Sequence, residues 1–379
     1  MITDYRVMAS DKVRVEVFRR GIEAVVKPGD VVVDIGCGLG TYAVFACRAG
    51  ARKVYAVERS DVIIAARQVA KASGCGGRIE FVHGDALSVE LPEKADLAIT
   101  EDFSVVFADP DTERLVSSVR RRLLRKNGRF VPESAAVCAA PVTCRNVYEK
   151  LDRLGASADK VCGVDFSATR EMAMNSIARA WFRPSQLMGA PKRVHGVEFA
   201  AGTPFEFDAT LRFRAPKTAL VHGVAVWFDA LLAPRIRLSN APGAPRTLWG
   251  QGFLPLTRPM RAKKGAAVAV ALAARRSRDR DRLWWQWEVT AGGVRADGTT
   301  FRSFPMSATS LEAGSRSHRP GLSRDGEITE CALRMLGSGC TILEVARGLR
   351  RQFPGTFGSV REALSRAGEA GRKFGNLKL

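Results

Sequence analysis

Residues 31–52, VVVDIGCGLGTYAVFACRAGAR, constrain this chain more than any other stretch. Three valines run into Asp34 and Ile35 with no polar alternation, the pattern of a strand buried on both faces. Gly36, Gly38 and Gly40 follow at alternate positions, and an amphipathic segment opens at Thr41. Glycine adopts the angles of a tight turn and lets a ligand approach the main chain. The first amides of the next helix lack partners within it, so they face whatever sits over the turn. Such an opening commits the chain to a strand–turn–helix unit of a parallel sheet.

The rhythm continues over residues 30–140. KVYAVE, RIEFVHGDA and DLAITE read as further strands, and DVIIAARQVAKAS and the stretch around ERLVSSVRRRLL as helices. This predicts a doubly wound, Rossmann-like α/β domain with its ligand at the carboxyl ends of the strands. Glu58 closes the second strand about 20 residues beyond the glycines, the place of an acid that binds ribose hydroxyls. Asp85 follows the third strand, beside the place of an adenine. A nucleotide-type cofactor is expected on Asp34, Gly36, Cys37, Gly38, Gly40, Thr41, Glu58, Arg59, Asp85 and Ala86. The acid precedes the glycines, which resembles class I S-adenosylmethionine-dependent methyltransferases. A flavin- or NAD-binding Rossmann domain is the alternative for a loop of this kind.

After VPESA (131–135) the signals become short and mostly β, with Gly and Pro between them. RVHGVEFAAG, TPFEFDATLRF, HGVAVWFDALL, RTLWGQGFLPL, AAVAVALAA and LWWQWEVTA predict an antiparallel sandwich or barrel. NVYEKLDRLGAS and EMAMNSIARAWF read as helical and mark an insertion over about residues 144–185. The expected domains are 1–135 and 136–310, then a polar linker at 311–324 and a small helical module at 325–379. In that module Ile328, Cys331, Ala332 and Met335 share one face. Thr341 with Glu344, and Ser359 with Glu362, have capping-box spacing.

At 379 residues the chain is too long for one core, which agrees with this division. No apolar run is long enough to span a bilayer, and MITDYRVMASDK has no signal pattern, so no membrane partner and a cytoplasmic setting are expected. Eight cysteines are scattered without CxxC pairs or histidines at ligand spacing, so no metal site is expected. The net charge is +20. It fits a polyanionic or acidic-peptide partner, or a basic surface without one, because no single segment holds the excess.

DIGCGLGTYAVFACRAGARKVYAVERS resembles the core of protein arginine methyltransferases. MASDKVRVEVFRRGI is similar to the Met-Leu-x-Asp-x-x-Arg stretch that precedes that core, LSNAPGAPRTLWGQGFLPL to the family's Thr-His-Trp loop, and CGVDFSATREM to the start of its dimerisation arm. The resemblance covers about residues 5–305. It implies S-adenosylmethionine as cofactor, a methyltransferase domain followed by a β-barrel, a peptide or protein substrate, and a homodimer. It places Arg14 on the cofactor's carboxylate, Met8 at the methionine position beside the substrate, and Glu58 on the ribose.

The loop ITEDFSVVFADPD (99–111) departs from the family. There, two glutamates nine residues apart hold the substrate guanidinium. Glu101 stands at the first position, but Pro110 stands at the second, between Asp109 and Asp111. Phe103 replaces a methionine, and Leu248 replaces the histidine between Thr247 and Trp249. Phe103, Thr247 and Trp249 are the expected substrate pocket, and Glu101, Asp109 and Asp111 the catalytic acids. Three readings stay open: Asp109 or Asp111 substitutes for the missing glutamate, the acceptor is not arginine, or the fold is a binding scaffold without turnover.

GLSRDGEITECALRMLGSGCTILEVARGLRRQFPG is similar to small peptide-binding chaperone domains of ribosomally made peptide pathways. That implies an acidic leader peptide as partner. RGLRR (347–351) in a helix-turn-helix reader of nucleic acid, a docking module and a packing appendage are the alternatives.

Overall fold

The structure is a computed structural model and describes residues 2–153, 162–276, 283–304, 312, 315 and 317–375. The valine run forms β1 (Val31–Ile35), buried along its whole length. β2 (Lys53–Glu58) and β4 (Ala95–Thr100) pair with it in parallel, one on each edge. β3 (Ile79–His83) joins β2, and β5 (Leu124–Val131) joins β4, for the order β3-β2-β1-β4-β5. The chain fills one side of β1 and then crosses to the other. A crevice therefore opens at the carboxyl ends of β1 and β4, the switch point where ligands bind in such sheets.

α1 (Ile2–Ala9) and α2 (Lys12–Val25) precede the sheet, α3 (Thr41–Arg48) and α4 (Ile63–Ala72) connect β1 to β3, and α5 (Pro110–Arg122) connects β4 to β5. α2 turns Phe18 and Ile22 inward, and Phe18 stacks on Tyr42 of α3 with ring centroids 4.7 Å apart. β5 escaped the sequence reading. After the buried Leu124 its RKNG stretch is polar and largely exposed, and the strand returns to the core only at Phe130 and Val131.

Two antiparallel sheets follow. The strands are β6 (Ser134–Val142), β7 (Ala178–Ala180), β8 (Lys192–Glu198), β9 (Phe207–Arg214), β10 (Ala219–Ala233), β11 (Ile236–Ser239), β12 (Gln251–Ala262), β13 (Ala267–Arg276), β14 (Leu283–Ala291) and β15 (Val294–Thr299). One sheet has the order β7-β12-β10-β6-β8 with β11 beside β10, and the other β15-β14-β13-β9. They meet where β12 approaches β15 and where β8 approaches β9, which closes a barrel. β14 shows why LWWQWEVTA serves: alternate residues Leu283, Trp285, Trp287, Val289 and Ala291 face inward. Gly21 of α2 lets the barrel come close, since a Cβ there would lie 2.8 Å from Leu232 Cβ.

The insertion differs from its expected form. α6 (Arg145–Asp152) is present, but EMAMNSIARAWF is not one helix. α7 (Arg170–Met174) stops before Asn175, whose side chain bonds the Glu171 carbonyl and accepts from the Thr299 amide. The chain then extends to pair β7 with β12. Residues 154–161 of the insertion, 277–282 of RRSRDRDR and most of the expected linker lie outside the described residues.

The chain divides into two units, residues 1–305 and 306–379. The second holds α8 (Arg324–Gly337), α9 (Ile342–Gln352) and α10 (Val360–Phe374) around Ile328, Cys331, Ala332, Val345, Ala346, Leu349, Phe353, Phe357, Ala363, Ala367 and Ala370. Thr341 and Glu344 form a reciprocal capping box. Ser359 caps α10 through the Glu362 amide, but the Glu362 carboxylate accepts from Gly358 instead of closing the box.

Candidate active site

At the end of β1 the chain turns through Gly36, Gly38 and Gly40, all at positive φ. The Gly40 amide donates to the Cys37 carbonyl at 2.7 Å, and the Cys37 amide to the Val57 carbonyl at 3.0 Å. A side chain at Gly38 would press on Tyr5 of α1, which lies 3.2 Å from the site of a Cβ. Glu58 is buried beneath this turn. Its carboxylate accepts from the Gly38 amide at 3.1 Å and the Ser60 amide at 2.9 Å.

Asp34 does different work from that expected of it. It is buried behind the loop, does not line the cavity, and accepts from the Ala43 amide at 2.9 Å. It thus supplies the cap of α3 that Gly40 has no side chain to provide. Burial, then the charges of Glu58 and Glu101, push its carboxyl up to about 7, against the pull of the Ala43 amide. Gly40 likewise shapes the turn without lining the cavity.

Across the crevice, Asp11 caps α2 by accepting from the Arg14 amide at 3.1 Å. Arg14 is buried and grips both oxygens of Glu101, at 2.8 and 2.7 Å. It also donates to the Met8 carbonyl. The Tyr42 hydroxyl adds a bond to Glu101 at 3.2 Å. Burial pushes Glu101 above the ordinary carboxylate range, and its bonds to Arg14 and Tyr42 oppose that rise. Burial alone would lower the Arg14 pKa, but Glu101, Tyr42 and Asp11 together outweigh it and the guanidinium is held charged.

A cavity of about 640 Å³ joins these parts. Of the sequence-predicted residues, Met8, Arg14, Gly36, Cys37, Gly38, Thr41, Glu58, Arg59, Asp85, Ala86, Glu101 and Asp111 line it. Asp109 does not. It is the N-cap of α5, accepting from the Thr112 amide and hydroxyl at 2.8 Å each and from the Ser104 amide at 3.3 Å. Pro110 opens α5, a position where proline's missing N–H costs nothing.

Phe103, Thr247 and Trp249 also stand outside the lining. Phe103 and Trp249 build the wall behind it, Phe103 stacking on Trp249 at 5.2 Å and the Trp249 indole donating to the Phe103 carbonyl at 3.2 Å, while Thr247 lines a separate cavity. The Trp249 ring lies 5.8 Å from the Arg14 guanidinium, within cation–π range. Phe107 is fully buried at φ 64, a strained setting for a bulky residue, packed among Phe199, Phe205 and Phe228. Trp285 of the barrel donates to the Ala108 carbonyl at 3.0 Å. The acidic loop is therefore pinned by the barrel at its far end.

Sequence reasoning missed Tyr5, Tyr42 and Arg114 on the cavity wall. Asp102 lies in the loop 99–111 with no role assigned from sequence, and it too lines the cavity. Burial raises its carboxyl pKa, with Arg59 pulling it down and Asp109 and Asp111 adding to the rise. The cavity thus offers a glycine turn open to a ligand, a buried carboxylate beneath it, an arginine for an anionic group, and four further carboxylates, Asp85, Glu101, Asp102 and Asp111. That donor set fits a nucleoside with a charged tail at one end and a cationic acceptor at the other.

Residues 32–128 match the model of a methyltransferase domain, and residues 133–289 that of the arginine methyltransferase oligomerization subdomain. A probable protein arginine N-methyltransferase 6 of Arabidopsis thaliana is 31% identical over 238 residues, 59% of this chain and 52% of that protein. A probable histone-arginine methyltransferase CARM1 of Oryza sativa subsp. indica is 32% identical over 257 residues, 63% of this chain and 48% of that protein. The chain spans about half the length of these relatives. Among solved structures, the Trypanosoma brucei PRMT1 enzyme–prozyme heterotetrameric complex with AdoHcy aligns with a TM-score of 0.69 at 24% identity, covering 77% of this chain and 96% of that one. Arabidopsis thaliana protein arginine methyltransferase 10, in an open conformation, aligns with a TM-score of 0.65 at 21% identity, covering 79% and 100%.

Proposed function

The chain belongs to the protein arginine methyltransferase family, and from that footing we propose that it methylates a guanidinium of a peptide or protein, with S-adenosylmethionine as cofactor. The observation that carries this reading is Glu101: a carboxylate on the wall of the glycine-turn cavity, held by Arg14 and Tyr42.

The cofactor supplies an electrophilic methyl group on a sulfonium. The chain's own part is positioning. Glu58 would hold the ribose hydroxyls, Asp85 and Ala86 the base, and the turn at Gly36 and Gly38 the rest of the cofactor, all on the wall of the one cavity. Arg14 offers positive charge to its carboxylate. Glu101 binds the acceptor guanidinium, localises its charge, and leaves one nitrogen freer to attack. Asp102 and Asp111 line the same cavity and are the carboxylates able to replace the glutamate missing at Pro110. Incubation with methyl-labelled cofactor and arginine peptides, followed by amino-acid analysis, tests this. Absence of methylarginine with every peptide, while S-adenosylhomocysteine still binds, would leave the readings of a non-arginine acceptor and of a binding scaffold, which the proline at position 110 favours.

Residues 144–185 act as a dimerisation arm in this reading, supported by the oligomerization-subdomain match. Sedimentation of the full chain should give twice the monomer mass. The cysteines are all free thiols, which suits a cytoplasmic, reducing setting.

A further inference from the structure

At the opposite end of the parallel sheet lies a second cavity, of about 860 Å³. Its cations arrive from four separate places. Lys27 lies between α2 and β1, Lys94 precedes β4, Arg120 and Arg121 end α5, and Arg125 and Lys126 open β5. Arg129 completes the ring, and Glu133 is the single carboxylate on the wall. The floor is packed core, with Leu124, Phe130 and Leu232 all buried.

Only part of this charge is neutralised within the fold. Arg129 pairs with Asp30, and Arg125 with Asp96 and Glu93. Lys94 reaches the Arg121 carbonyl at 3.4 Å. Among the described residues, the side chains of Lys27, Lys94, Arg120, Arg121 and Lys126 have no carboxylate partner, although the Lys27 amide donates to Asp30. The carbonyl end of α5 favours a cation nearby, and that explains one of its arginines. It does not explain why Lys27, Lys94 and Lys126 converge on the same cavity from other segments. Holding five like charges around one concavity raises the folded chain's energy unless an anion offsets it.

We propose that this cleft binds a compact polyanion carrying several phosphate groups. Its volume lies in the range of small-ligand sites, which suits a short ligand better than a polymer that must run on past its rim. Guanidinium and ammonium groups together favour phosphate oxygens, which accept from several directions at once. The wall shows no exposed aromatic ring on which a base would stack. The inference is independent of the methyl-transfer reading, since none of these residues lines the Glu58 cavity.

Calorimetry on the full chain with inorganic tripolyphosphate provides the test. One-to-one binding is expected, weakened roughly 100-fold by the double substitution Arg121→Glu and Lys126→Glu, which removes two charge-assisted contacts. S-adenosylhomocysteine binding and the melting temperature should stay unchanged in that variant. Should charge reversal lower the melting temperature, the pair Arg121→Gln and Lys126→Gln gives the same readout. No binding, or equal binding by the variant, overturns the proposal. So does a hexaglutamate peptide binding as tightly as tripolyphosphate, or a single-stranded oligonucleotide binding that tripolyphosphate cannot displace.

Discussion

The two ends of one parallel sheet carry opposite characters. At the carboxyl ends, Glu58, Asp85, Glu101, Asp102 and Asp111 share a cavity with Arg14, Arg59 and Arg114. At the amino ends, a ring of lysines and arginines shares its cavity wall with one carboxylate, Glu133. A net charge of +20 is the sum over both and describes neither. At distances beyond about 8–10 Å in physiological salt, exposed charges are screened, so the local set decides which partner each end accepts. The far-field repulsion of an arginine-rich substrate, which the composition suggests, is thus compatible with a carboxylate-lined acceptor site.

The sharpest way to break this contrast is Glu101→Gln. Methyl transfer should fall by about 1000-fold in kcat, because a charged contact to the reacting group is lost. S-adenosylhomocysteine affinity by calorimetry should change only a few-fold. Equal loss of both would make Glu101 a support for Arg14 and nothing more. Glu58→Ala comes next, with S-adenosylhomocysteine affinity expected to drop roughly 100-fold through two lost charge-assisted bonds. Smaller again, about tenfold in kcat/KM, is the loss expected for whichever of Asp102→Asn and Asp111→Asn removes the second acceptor contact. If neither moves kcat/KM, Glu101 works alone.

Two predictions concern stability. The folded Asp34 carboxyl titrates near 7, above its unfolded value, because of burial and then Glu58 and Glu101. Between roughly pH 4 and 7 the folded chain keeps a proton that the unfolded chain has released, so stability falls as pH rises through that window. Asp34→Asn should flatten that fall in a melting-temperature series without changing the loop. Asp109→Ala should cost about 1 kcal/mol of stability by denaturant titration, the worth of a helix cap, and leave kcat intact.

What was legible in the sequence was local. The valine run, the alternating glycines and Glu58 lie within 28 residues, and the backbone rules that link them need no tertiary contact. Asp109 and Asp111 could not be told apart that way. Their roles depend on where α5 begins, and a two-residue offset turns a cavity-lining acid into a cap. The pairing of Arg14 with Glu101 spans 87 residues and has no signature in either segment. β5 was hidden because its middle faces away from the core, and the charges there, Arg125 and Lys126, contribute to the ring of the basic cleft.

The grip of Arg14 on Glu101 has a thermodynamic consequence. On the proposed roles, one guanidinium serves both the cofactor's carboxylate and the carboxylate that awaits the acceptor. Binding at one position then changes the free energy of binding at the other, and by an equal amount in each direction. The two ligands cannot be titrated as independent species. Acceptor affinity measured without cofactor and with S-adenosylhomocysteine should differ, and their ratio is the strength with which Arg14 couples the two sites.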